Sequence, residues 1–128
     1  MKRRNVFEER RRTARKEVAR EAAHHHHVYV VLLRPEVARV RRVRRENPDR
    51  RPEQPCVYVG MTGLQPEERL ANHLAGHQSA WVVRKYGVRL LPELFAHLNP
   101  MPFEAAVVME RELAEDLRRM GFTVTGGH

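Results

Sequence analysis

A chain of 128 residues, 41% hydrophobic and 31% charged, has enough apolar content for one domain with a modest core. Its net charge is +8 and its longest apolar run, residues 28–33, is too short to cross a bilayer; these suggest a cytoplasmic protein with an anionic partner and no membrane association. Its single cysteine, Cys56, excludes an internal disulfide and suits a reducing compartment.

The positive charge is unevenly placed. Residues 1–23 carry nine Lys or Arg against four Glu, and residues 34–51 carry eight Arg against three acids. The remainder carries seven basic and nine acidic groups, so the body is slightly acidic. Clustered cations of this kind favour polyanions, nucleic acid first. Residues 1–27 read as a basic arm, helical or disordered, whose apolar content is too thin for a core. His24 to His27 offer imidazoles for a transition metal, but a tetrad without fixed geometry is not a site.

Val28 to Leu33 is a β-branched and leucine run, predicted as a buried strand that Pro35 ends. Glu36 to Arg45 suits a short basic helix. Asn47-Pro48, Pro52 and Pro55 mark a loop, so residues 34–55 form a basic insertion. Cys56 to Val59 is a second strand, expected antiparallel to the first. Thr62-Gly63 suits a turn. Pro66 followed by Glu67 and Glu68 suits a helix N-terminus, with Gly76 beyond the helix end. Ser79 to Tyr86 is predicted as a helix and Val88 to Leu91 as a third strand. Trp81 is expected to hold that helix on the sheet. After Asn99-Pro100-Met101-Pro102, a helix is predicted from Phe103 to Met120, with Ala106, Met109, Leu113 and Leu117 as its apolar stripe. Glu110 falls at the edge of that stripe. Phe122 to Thr125 is a candidate last strand. The layout predicts an α+β fold: a small three-stranded antiparallel sheet flanked by helices, in one domain over residues 28–128.

Five side chains stand out chemically. Tyr29 and Tyr58 lie on neighbouring predicted strands. Arg69 and His73 are spaced four apart on one helix face. Glu110 is a carboxylate beside an apolar stripe. Phosphodiester hydrolysis needs such a set. A water must lose a proton near phosphorus. Arginine's forked donors match phosphate oxygens. A divalent ion on a carboxylate neutralises the leaving oxygen, and magnesium often takes only one or two protein carboxylates.

Taken in this order, the chain resembles the GIY-YIG nuclease superfamily over residues 28–124. Val28-Tyr29 is similar to the first motif and Tyr58-Val59-Gly60 to the second. Gly60-Met61-Thr62 through Arg69 and His73 resembles the turn and arginine helix, and Glu110 with Leu113 the metal-binding helix. The resemblance implies a metal-dependent endonuclease using Mg2+ or Mn2+ held by Glu110. It also implies that Tyr29 and Tyr58 help activate water, Arg69 holds the phosphate and His73 supports them. Three features depart from the pattern. His27 replaces the first glycine, the connection between the tyrosine strands is long and basic, and residues 122–128 offer no counterpart to a C-terminal asparagine. Nucleic-acid contact is expected from Arg39, Arg41, Arg42, Arg44, Arg45, Arg50 and Arg51, with DNA ahead of RNA as partner. The sequence points to no protein partner. The alternative is a module of the same fold that binds nucleic acid without cutting it.

Overall fold

A computed structural model describes Arg10 and residues 24–128. Apart from Arg10, the arm expected to be helical or disordered lies outside the described residues up to residue 23. The chain begins with β1 (His27–Leu33), a 3-10 turn (Pro35–Arg39), α1 (Arg41–Glu46), β2 (Cys56–Thr62) and α2 (Pro66–Ala75). It continues through α3 (Trp81–Tyr86), β3 (Gly87–Leu90), 3-10 turns at Pro92–Leu94 and Ala96–Leu98, α4 (Phe103–Arg119) and β4 (Thr123–Gly126). No described helix is long and apolar enough to cross a membrane.

The fold is α+β, with a four-stranded sheet in the order β3-β1-β2-β4. β1 is antiparallel to both β2 and β3, which are the three antiparallel strands the sequence predicts. The expected sheet is corrected by a fourth strand, for β4 pairs in parallel with β2. Helix α4 carries the chain back to the end where β2 starts, setting Thr123 opposite Cys56, so β4 runs in the same direction as β2. β1 and β2 are interior strands covered on both faces, which explains their unbroken apolar character. Val28, Val30, Val31, Val57 and Val59 are all fully buried, and each stabilises the fold by about 1.5–3 kcal/mol relative to an exposed side chain.

Helices α2 and α3 lie on β1 and β3, while α4 lies along β2 and β4. The single basic helix expected from Glu36 to Arg45 is instead a 3-10 turn and α1, broken at Val40, whose backbone is extended. Buried Val37 and Val43 anchor the two pieces. Two asparagines complete the sheet from outside it. Asn47 Nδ2 donates to the Val124 carbonyl and Asn47 Oδ1 accepts from the Val124 N–H, at 2.9 and 2.8 Å. Asn99 does the same for Val28 on β1, at 2.7 and 2.9 Å. Each amide mimics one residue of an extra strand and satisfies an edge that would otherwise be open.

Candidate active site

Strand register sets the tyrosines. Tyr29 faces Gly60 and Tyr58 faces Val31, so the two side chains share a sheet face as diagonal neighbours. Their ring centroids are 6.2 Å apart. Tyr29 is 1% exposed, whereas Tyr58 is half-buried. Tyr29 leans over Gly60: a Cβ there would stand 2.5 Å from Tyr29 Oη and 2.9 Å from Tyr58 Cε1. Only glycine leaves room for both rings.

Helix α2 delivers His73, which is fully buried. The Ala80 N–H donates to His73 Nδ1 at 3.0 Å, and Tyr29 Oη lies 2.8 Å from Nε2. Burial, then the nearby charge of Arg69, holds the His73 pKa down from 6.5 to about 4. At neutral pH the ring is therefore uncharged and carries one proton. Because Nδ1 accepts, that proton sits on Nε2, and Nε2–H donates to Tyr29 Oη. His73 is thus a donor toward the tyrosine, leaving the tyrosine's own O–H free to point elsewhere.

Arg69 lies one turn earlier on α2, as the spacing predicts, and is half-buried. Its guanidinium donates to the carbonyls of Gln78 at 2.8 Å and His77 at 3.4 Å, closing the loop between α2 and α3. Gln78 adopts a left-handed φ of 45°, and this bond helps hold that conformation. Burial raises the pKa of both tyrosines, and the charge of Arg69 works against that rise in each. His77, past the helix end, is exposed.

Glu110 corrects the stripe expected on the last helix. The buried residues of α4 are Ala106, Glu110, Ala114 and Leu117, so the carboxylate sits within the buried stripe and not at its edge. Met109 and Leu113 are only partly buried. Glu110 is 7% exposed, and burial pushes its pKa up against the hydrogen bond that Oε1 accepts from the His128 N–H at 3.0 Å. Gly126 and Gly127 make that bond possible. Both have positive φ, and a Cβ would stand 2.2 Å from the Val59 carbonyl at the first and 2.4 Å from Ala114 Cβ at the second.

Among the described residues, no three His, Cys, Asp or Glu side chains converge, as a site ligated wholly by protein requires. Glu110, which forms no salt bridge to a described residue, could hold a divalent ion only if that ion kept most of its coordination as water.

A cleft of about 160 Å3 opens beside Tyr58, walled by Trp81, Thr125, Gly126 and His128 and reached by Arg42. Trp81 was expected to anchor α3 on the sheet. It is 44% exposed instead, because Val82, Val83 and Tyr86 supply the buried face of that short helix. Only Arg42, of the insertion arginines, lines this cleft. Arg39, Arg44, Arg50 and Arg51 line a larger depression of about 710 Å3 with Leu33, Cys56 and Thr123, at the sheet end away from the Tyr29–Gly60 pair. Arg41 and Arg45 are exposed on α1. Arg42 pairs with Glu46 at 3.2 Å, whereas Arg39, Arg41, Arg44, Arg45 and Arg51 form no salt bridge to a described residue. Cys56 is buried, and burial raises its pKa. His26 pairs with Met101 and His27 opens β1, so the histidine run is partly built into the sheet.

The depressed His73 pKa makes stability depend on acid. The unfolded histidine takes a proton near pH 6.5 but the folded one only near 4, so the unfolded chain binds more protons in between. Stability should fall as pH drops through that window, by up to ~3 kcal/mol. Raised Glu110 acts in the opposite sense, since its protonated form suits the fold. Thermal melts of wild type and His73→Gln from pH 7 to 4 should show the steeper loss in wild type. Parallel curves would exclude His73 as the source.

Comparison with protein-family models, curated proteins and solved structures finds no match for the chain.

Proposed function

We propose that this domain is a divalent-metal-dependent endonuclease that hydrolyses phosphodiester bonds in DNA, on a GIY-YIG-like arrangement. The observation carrying this reading is Tyr29 Oη, which receives Nε2–H from neutral His73 and lies within the field of Arg69 and Glu110. A packing tyrosine has no use for a buried histidine donor and a half-buried arginine beside it. A water-activating tyrosine does, because both groups favour its phenolate.

In this reading Tyr29 first gives its own proton to solvent and then, as the phenolate, takes the proton from the attacking water. Burial holds the free-protein Tyr29 protonated at neutral pH, so ionisation needs added positive charge. A divalent ion on Glu110 would supply that charge and also neutralise the leaving oxygen. Tyr58, half-buried at the cleft, keeps its proton at neutral pH and donates to a phosphate oxygen. The Arg69 N–H groups not engaged by His77 and Gln78 face the same task. The cations of residues 39–51 hold the flanking backbone.

The test is incubation of purified protein with plasmid, single-stranded and branched DNA, with magnesium or manganese and with chelator. Cleavage only with the ion is expected. Binding that never leads to cleavage would favour the non-catalytic module. In the same series, log affinity should fall linearly with log salt, by about 0.9 per phosphate neutralised on duplex. Changing Arg41, Arg42, Arg44 and Arg45 to glutamine should flatten that slope; an unchanged slope would mean that they touch no phosphate.

A further inference from the structure

We propose that Trp81 is a stacking platform for one unpaired nucleobase, so that the preferred substrate presents an unpaired nucleotide next to the scissile bond. This inference rests on the nucleic-acid reading above and names its substrate class: single strands, flaps and branches ahead of intact duplex.

The ring is exposed yet fixed. Trp81 opens α3 directly after Ala80, whose N–H is tied to His73 Nδ1 at 3.0 Å. The indole is therefore one residue from the bond network that holds Tyr29. Its position is set again by Tyr86, which meets it edge-on with centroids 6.3 Å apart and an interplanar angle of 69°. Tyr86 is itself 8% exposed and carries Arg34 and Lys85 near its ring, at 5.8 and 5.4 Å. A large aromatic side chain held this way and left 44% exposed is a poor use of core material.

What lies beside the ring identifies the ligand. Trp81 and Tyr58 both line the cleft of about 160 Å3, and Arg42 stands at its rim. That volume is below the roughly 300–1,000 Å3 of ordinary small-molecule sites and suits one planar ring system rather than a base pair. Glu46 also lines the cleft but is engaged by Arg42 at 3.2 Å. Arg84 and Lys85, in the last turn of the same helix, add cations near the platform. An apolar ring bordered by cations suits a base with its phosphates, and stacking accepts any base because each has a π-face. In intact duplex every base is already stacked, so occupying Trp81 there requires extruding one. A strand with unpaired nucleotides avoids that cost.

Trp81 is the chain's one tryptophan, so emission excited at the red edge of the indole band, where tyrosine does not absorb, reports on this site alone. With chelator present to prevent cutting, an oligothymidylate strand should quench it, and a closed hairpin duplex should not. By anisotropy of a labelled strand, Trp81→Ala should weaken oligothymidylate binding roughly ten-fold and hairpin binding less than two-fold. Trp81→Phe should restore most of the loss. Equal quenching by strand and hairpin, or an unchanged affinity in Trp81→Ala with an intact melt, would overturn the proposal. Strand-selective quenching in a protein that cuts nothing with magnesium would uphold the platform while refuting the nuclease reading.

Discussion

Replacing Glu110 with glutamine should abolish metal-dependent cleavage and leave the fold intact or slightly more stable. The carboxylate is buried, and its charged form is disfavoured by that burial. Glutamine keeps the shape and an oxygen for the His128 N–H while removing a desolvated charge. The melting temperature should therefore hold or rise. Cleavage loses the several kcal/mol that one divalent ion contributes to stabilising transition-state charge, or roughly three orders of magnitude. Glu112→Ala is the control: that residue is exposed on the same helix and should be silent. The measurement is single-turnover cleavage across a magnesium titration with melts alongside. Wild-type activity in Glu110→Gln would remove the residue from the site.

Tyr29→Phe is expected to be the most damaging change that keeps the ring. It deletes only Oη, the acceptor of His73 Nε2–H. That buried donor then has no partner, at a cost of about 1–3 kcal/mol. Loss of a proton-transfer group should lower the rate by about 10²–10⁴. Tyr58→Phe should do less to both, since Tyr58 is half-buried at the cleft. The pH profile separates the roles. His73 is already neutral above about pH 4, so wild-type cleavage should show no histidine inflection near 6.5. Its rate should instead rise on the alkaline side, and that rise should vanish in Tyr29→Phe. If Tyr29→Phe cleaves like wild type at every pH, the tyrosine is packing and the mechanism fails at its first step.

The parts of this picture legible in the sequence are those written in short-range patterns. The apolar runs of β1 and β2, the Arg69–His73 spacing and Pro66 at the start of α2 each follow from neighbours within a turn or a strand. Glu110 was visible by its order, but its burial was not. Ala106 and Leu117 of the expected stripe are buried, but small Ala114 and Glu110 complete its centre, while the larger Met109 and Leu113 pack at its partly buried flank. The expectation that Trp81 holds α3 on the sheet fails because Val82, Val83 and Tyr86 already supply the buried face of so short a helix. The fourth strand was glimpsed in Phe122 to Thr125, but its parallel pairing depends on where α4 returns the chain. Asn47 and Asn99 had no signal at all, since their partners lie 77 and 71 residues away. Gly126 and Gly127, which let His128 reach Glu110, likewise act through contacts distant in sequence, with Val59 and Ala114.

The Asn47 amide joins the basic insertion to β4 as though it were one more rung of the sheet. Its arginines are thereby mounted on the same frame as the tyrosines, so that in the proposed nuclease no hinge would separate gripping from cutting. A strand seated on that frame would meet the site at a set offset. Cuts should then fall in fixed phase with the contacts that hold the backbone, so that the insertion serves as a ruler.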